Sequence, residues 1–92
     1  MKFGKDDIQT FYAGKGWDWF VIGVIPTEQG YYVGTDSGCS CVYPWEYYEG
    51  IGDFTGPLTF EQMEEEVTSI AGSGVMSPSR TTELEEFINE LR

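Results

Sequence analysis

Two cysteines separated by one residue, Cys39 and Cys41, are the strongest candidates for chemistry in this chain of 92 residues. In an extended segment both thiols point to the same side, so they could hold a soft metal ion. Structural zinc takes four ligands and the chain has no histidine, so Asp36, Glu46 or a second chain would have to complete the set. An internal disulfide across one residue would be strained and labile. Of the metal or redox site, the disulfide and two small buried or half-buried side chains, we favour the last.

Other groups that enzymes use are missing or isolated. Ser37 has no histidine anywhere in the sequence to activate it. The run Asp36-Ser37-Gly38 is typical of a turn in which the aspartate accepts hydrogen bonds from nearby backbone N–H groups. Carboxylate pairs occur throughout so acidic a chain, so pairing alone does not indicate acid–base catalysis. We therefore predict a protein that is not an enzyme and that uses no cofactor.

The charge balance restricts the partners. The chain has 16 acidic and 5 basic residues, which gives a net charge of −11. Phosphate contacts need Lys or Arg, so direct binding to nucleic acid or to an anionic membrane is disfavoured, whereas a protein with a basic surface would be attracted. The longest apolar run is too short to span a bilayer and no signal peptide is expected. The expected setting is the cytoplasm, with reduced thiols.

Glutamates dominate the second half of the chain. Helical spacing places them on two solvent faces, formed by Glu61, Glu64 and Glu65 and by Glu83, Glu86 and Glu90. Such faces ordinarily keep a protein soluble. If the two faces join into one surface, they could also imitate the phosphates of DNA and occupy a nucleic-acid-binding protein.

Aromatic residues crowd the segment after the cysteines, where Tyr43, Trp45, Tyr47 and Tyr48 lie within six positions. Pro44 lacks an N–H, so a strand here must be an edge strand or must be broken. Trp and Tyr dominate binding hot spots, because each has a large apolar body and a polar group. We predict that Trp45 and at least one of the three tyrosines are partly exposed and contact a partner.

The order of elements predicts the α+β class, with a small antiparallel sheet of about three strands in a single domain over residues 1–92. Residues 17–25 form the strongest strand and pair with 31–36 through a hairpin. A third strand is expected at about 41–48, and 1–16 fit a short helix or an edge strand equally well. The strongest strand is apolar on both faces, with Trp17, Trp19, Val21 and Ile25 on one and Phe20, Ile22 and Val24 on the other.

Two amphipathic helices complete the predicted fold. The first covers 59–71, where Thr59 and Gln62 match a capping box. A linker at 72–81 precedes the second helix, at about 82–91. Because this linker is loose, the second helix could dock on its own sheet or on another copy. The residues of the first helix that should face the sheet are Phe60, Met63, Val67 and Ile70.

The cysteine motif also carries a resemblance. The Asp-Ser-Gly-Cys-x-Cys core and the Pro-Trp-Glu that follows it resemble a family of short proteins encoded by bacteriophages of actinobacteria, over roughly residues 17–71. The matching residues are Asp36, Ser37, Gly38, Cys39, Cys41, Pro44 and Glu46. The resemblance implies no activity, but it implies an infected bacterial cytoplasm in which small acidic phage proteins bind and divert host proteins. We therefore expect a binding protein with an aromatic and acidic surface for a host macromolecule, and a homodimer is a further option.

Overall fold

A single antiparallel sheet organises the molecule. The computed structural model describes residues 5–14, 18–39, 41–46, 48, 50–72 and 81–92. Within these residues the sheet has four strands in the order β1–β2–β3–β4, and two helices follow it. The elements are β1 Gln9–Gly14, β2 Asp18–Thr27, β3 Gly30–Cys39, β4 Thr55–Leu58, α1 Phe60–Ala71 and α2 Thr81–Glu90, with short 3-10 turns at Lys5–Asp7 and Ile51–Asp53. The predicted α+β class is confirmed, with one more strand than expected.

The central hairpin is longer than the sequence suggested. Strands β2 and β3 have 10 residues each and pair over their whole length. The turn between them holds only Glu28 and Gln29, and Gly30 has a φ of 140°, a conformation that favours glycine. The turn predicted at 36–38 is wrong, because these residues continue β3 and pair with β2.

The edge strands of the sheet are β1 and β4. Of the two options for 1–16, the edge strand is present as β1, paired with β2. Strand β4 was not predicted, because Gly56 and Pro57 are typical of a loop. It lies at the other edge and joins β3 through two residue pairs, Tyr31 with Leu58 and Val33 with Thr55. An edge strand tolerates proline because one of its sides needs no N–H donor.

The connection between β3 and β4, residues 40–54, replaces the third strand predicted at 41–48, which is wrong over the described residues. The described residues 41–46 lie in turns and bends, and the N–H of Glu46 donates to the carbonyl of Tyr43 at 3.2 Å. Trp45 has a φ of 66°, which is uncommon for a residue with a side chain and incompatible with a regular strand. Pro44 and the conformation of Trp45 therefore turn the chain back over the sheet.

Each face of β2 is covered by a different part of the chain. On one face, here called the helix face, α1 and α2 pack on the sheet in one apolar cluster. Its buried members are Phe11, Ala13, Ile22, Val24, Val33, Met63, Val67, Ala71, Leu84 and Ile88. On the other, the loop face, Trp45 of the β3–β4 connection joins Ile8, Trp19, Val21 and Ile25. The predicted division of β2 into two apolar faces is confirmed for its described residues.

Helix α1 has the predicted inner face and the predicted N-terminal cap. The capping box of α1 is formed, because Thr59 Oγ1 accepts from the Gln62 N–H at 3.2 Å and Gln62 Oε1 accepts from the Thr59 N–H at 3.0 Å. Met63 and Val67 are buried, and Phe60 and Ile70 pack against the same cluster.

Helix α2 docks on its own sheet. The rings of Phe87 and Phe11 lie 5.4 Å apart, and the Tyr31 hydroxyl donates to the Leu91 carbonyl at 3.0 Å. Most of the predicted linker lies outside the described residues. No helix of the described chain is long and apolar enough to cross a membrane.

Candidate functional site

The site is built on a row of residues with little or no side chain across the loop face. Thr10 of β1 pairs with Gly23 of β2, and Gly23 pairs with Gly34 of β3. A Cβ at Gly23 would lie 2.5 Å from Cζ2 of Trp45, and a Cβ at Gly34 would lie 2.7 Å from Cδ1 of Phe54. Both distances are shorter than non-bonded carbon atoms can approach. The absence of side chains at the two glycines therefore allows the two rings to lie directly on the backbone of the sheet.

Trp45 is fixed on this row by two hydrogen bonds. Its indole Nε1–H donates to Thr10 Oγ1 at 3.0 Å, and its backbone N–H donates to Asp36 Oδ2 at 2.8 Å. The other oxygen of Asp36 accepts from the Ser37 N–H at 2.9 Å. Asp36 therefore ties the β3–β4 connection to the sheet, and the backbone hydrogen bonds predicted for it occur without the predicted turn.

Trp45 is 8% exposed, so the prediction that it is partly exposed is wrong. The physical reason is that Gly23 has no side chain, so the indole ring packs directly against the backbone of the sheet. Truncation of so buried a tryptophan removes a large apolar area, and we now expect Trp45→Ala to cost about 3–5 kcal/mol of stability. It is a structural residue that also forms part of a pocket wall.

A pocket of about 130 Å³ lies beside Trp45. The ring of Phe54 lies 5.5 Å from that of Trp45 and 6.0 Å from that of Tyr48, measured between centroids. The described residues lining the pocket are Thr35, Asp36, Trp45, Tyr48, Asp53 and Phe54, and none of them is basic. The pocket therefore combines three aromatic rings with two carboxylates.

Burial raises the pKa of the Tyr48 phenol, and the negative charge of Asp7 raises it further. The hydroxyl therefore stays protonated to a higher pH than that of an ordinary tyrosine and adds no negative charge to the pocket.

The other predicted contact residues divide by exposure. Tyr43 is 78% exposed, in agreement with the expected surface position of at least one tyrosine. Tyr48 is half-buried and lines the pocket. Tyr47 lies outside the described residues. Tyr43 and Tyr48 are thus the described tyrosines of the predicted patch that a partner can reach on the loop face.

The cysteines are not the pair of reduced, buried or half-buried side chains that we favoured from the sequence. Cys39 and Cys41 are bonded to each other, and both are exposed. The Nε1–H of Trp19 donates to the carbonyls of Cys39 and Val42, at 2.7 and 3.2 Å. Two external thiols could reduce such an exposed bond, leaving two free cysteines and one external disulfide.

A metal site of these cysteines with Asp36 is not supported where the chain is described, since no three of its His, Cys, Asp and Glu residues cluster there as metal ligands.

The glutamates lie on the opposite side of the sheet from the pocket. The six predicted residues, Glu61, Glu64, Glu65, Glu83, Glu86 and Glu90, are all exposed, as are Glu66 and Glu85. Because both helices cover the helix face, these eight carboxylates share that side of the molecule. The predicted aromatic and acidic residues therefore form two surfaces rather than one.

The sequence reasoning missed Gly23, Gly34, Asp53 and Phe54. A glycine inside an apolar strand is a signal of close approach by another group, and it is present at Gly23. Which ring fills the space depends on the pairing of Gly23 with Gly34, which follows from the length of the hairpin.

Comparison with known proteins gives a family without an assigned activity. No curated protein and no solved structure matches the chain. A family model described as a domain of unknown function matches residues 2–91, almost the whole length. The chain therefore belongs to the DUF7574 family.

Proposed function

We propose that this protein binds a host protein with a basic surface in the cytoplasm of a phage-infected bacterium. It does so without catalysis and without a cofactor, and it contacts neither nucleic acid nor membrane directly. The observation that carries the proposal is the pocket on the loop face, where three aromatic rings meet two carboxylates. Tyr43, in the same β3–β4 connection as Trp45 and Tyr48, is exposed as well. The motif around Cys39 and Cys41 supports the phage setting by resemblance. A homodimer would be compatible with this role.

Physical chemistry favours a basic partner. The net charge of −11 attracts cationic surfaces over several ångströms and speeds their association at low salt. Aromatic residues at a surface supply contact area at a small cost in conformational entropy. In such a complex, charge complementarity speeds the encounter of the two proteins. Contacts with Tyr43 and the rim of the pocket then stabilise the bound state.

A second candidate function rests on the outer surface of the two helices, on the same side of the sheet as the helix face. Its eight exposed glutamates share one side of the molecule, and neither helix contains a basic residue. Imitation of DNA requires negative charges gathered on one surface, since a nucleic-acid-binding protein recognises rows of phosphates, and these glutamates supply such charges. The partner would then be a DNA-binding or RNA-binding protein of the host.

One experiment distinguishes the two surfaces. The wild-type protein and three charge-reversal variants are used to capture partners from a lysate of an actinobacterial host, and the captured proteins are identified and quantified by mass spectrometry. Asp53→Lys alters the pocket, and the pair Glu64→Lys and Glu86→Lys alters the outer surface of the helices. Glu28→Lys in the β2–β3 turn is the control.

The main proposal predicts one stoichiometric basic partner, lost with Asp53→Lys and retained with the other two variants. If the partner is lost only with the pair Glu64→Lys and Glu86→Lys, the DNA-mimic function replaces the main proposal. Retention with all variants, or a partner without a basic surface, would contradict both.

A further inference from the structure

The pocket on the loop face has walls of two kinds. The rings of Trp45, Tyr48 and Phe54 form an apolar side, in which neighbouring centroids lie 5.5 and 6.0 Å apart. Asp36, half-buried, and Asp53, exposed, form the polar side. A ligand that fits this pocket must offer a flat or compact apolar surface to the rings and positive charge to the carboxylates.

The chemistry of the lining excludes most small ligands. An anion would be repelled by two carboxylates, and an uncharged apolar ligand would take them out of water without compensation. Each oxygen of Asp36 already accepts one backbone N–H, at 2.8 and 2.9 Å, and a carboxylate oxygen can accept a further hydrogen bond. The pocket is thus suited to a cationic donor.

We propose that this pocket binds the guanidinium group of one arginine side chain presented by the basic partner, an inference that rests on the proposed function. A guanidinium is planar and weakly hydrated, and it stacks on aromatic faces more often than an ammonium does. Its N–H groups can at the same time donate to Asp36 and Asp53, and such charge-assisted hydrogen bonds are stronger than neutral ones. The volume of about 130 Å³ accommodates the end of one side chain rather than a folded segment.

The test uses three short peptides that differ at one residue: acetyl-Gly-Arg-Gly-amide and its lysine and citrulline counterparts. Each is titrated into the full-length protein, and the NMR resonance of the Trp45 indole N–H reports binding at the pocket. Citrulline keeps the planar shape of arginine and lacks its charge. We expect saturable binding of the arginine peptide, with affinity at least about tenfold lower for the citrulline peptide, because an uncharged side chain makes no charge-assisted hydrogen bond to the carboxylates.

Two variants with the same loss of charge locate the effect. Asp53→Asn removes a carboxylate from the pocket, and Glu28→Gln removes one from the β2–β3 turn; both residues are exposed, so both variants should fold. We expect about a tenfold loss of arginine-peptide affinity with Asp53→Asn. The loss with Glu28→Gln should be less than about twofold, since only long-range attraction changes.

Equal binding of the arginine and citrulline peptides would overturn the inference, as would equal effects of the two variants. Tighter binding of the lysine peptide would overturn the choice of arginine. If the arginine peptide fails to bind while capture from lysate still depends on Asp53, this inference fails and the proposed function stands. If the peptide binds at Asp53 and no basic partner is captured, the pocket assignment stands and the proposed function fails.

Discussion

Two glycines that face each other across the central hairpin decide how the loop face is built. Gly23 and Gly34 leave the backbone bare, and the rings of Trp45 and Phe54 occupy the space. The high aromatic content of the segment could be read from the sequence, but the burial of Trp45 could not. It depends on a contact between residues 22 positions apart, which the local pattern does not encode.

Substitution of Gly23 by alanine should destabilise the protein. The added methyl group would meet Trp45 and Ile8, and overpacking of this kind costs about 1–3 kcal/mol. Gly52→Ala is the matched control, because a Cβ there meets nothing within 4 Å. The free energy of unfolding in urea measures both variants. If Gly23→Ala is as stable as Gly52→Ala, Trp45 does not lie on the strand as described.

The ionisation of Tyr48 should lower the stability of the protein at alkaline pH. Burial and the charge of Asp7 raise the pKa of its phenol in the folded state above the unfolded value. The resulting stabilisation is fully present below the unfolded pKa of about 10 and is lost as the pH rises through the folded pKa. Tyr48→Phe should therefore flatten the alkaline decline in the free energy of unfolding. Tyr43→Phe, at an exposed position, should retain the decline of the wild type, and coincident curves for all three proteins would rule out this role of Tyr48.

At the level of elements, the sequence predicted those parts whose signals are local. Helix α1 has its apolar stripe and Gln62 within its own 12 residues and its N-cap, Thr59, directly before them, and β2 has its apolar residues in one run. Strand β4 has no such signal, since Gly56 and Pro57 favour a loop and only pairing with β3 makes the segment a strand. Conversely, aromatic residues between 41 and 48 favour a strand, and the turn at Pro44 and Trp45 prevents it.

The capping box gives a prediction for α1. Thr59→Ala removes the side chain that accepts from the Gln62 N–H, and loss of such an N-cap costs about 1 kcal/mol. Thr68→Ala makes the same change at an exposed position inside the helix, where alanine is the better helix former. Urea unfolding should show a loss of stability for the first variant and none for the second. Equal changes would mean that the cap contributes nothing beyond helix propensity.

For the whole molecule, the sequence predicted the class and the excess of negative charge, but not which surfaces the charges share. The order of strands sends the β3–β4 connection to one face and both helices to the other. Eight glutamates without a basic residue in either helix therefore repel one another on a single side. This repulsion opposes folding, because the charges are farther apart in the unfolded chain.

Salt should therefore stabilise the protein. Raising NaCl from about 10 mM to about 200 mM shortens the screening length from about 30 Å to less than 10 Å, which weakens the repulsion among the glutamates. We expect the melting temperature to rise over this range, as measured by circular dichroism. The double variant Glu64→Gln and Glu86→Gln should start from a higher melting temperature and show a smaller rise. A melting temperature that is constant or falls with salt would contradict this account.

Strand β2 has one further property that follows from its position. In the described chain it has a paired strand along each edge, and apolar side chains cover both of its faces. Its amide protons can reach water only when these layers separate, so their replacement by deuterium should require global unfolding. Strands β1 and β4 have one paired neighbour each in the described sheet, and their amides should exchange through smaller openings. The slowest-exchanging amides of the protein should therefore lie in β2, and their rate should report the stability of the whole molecule.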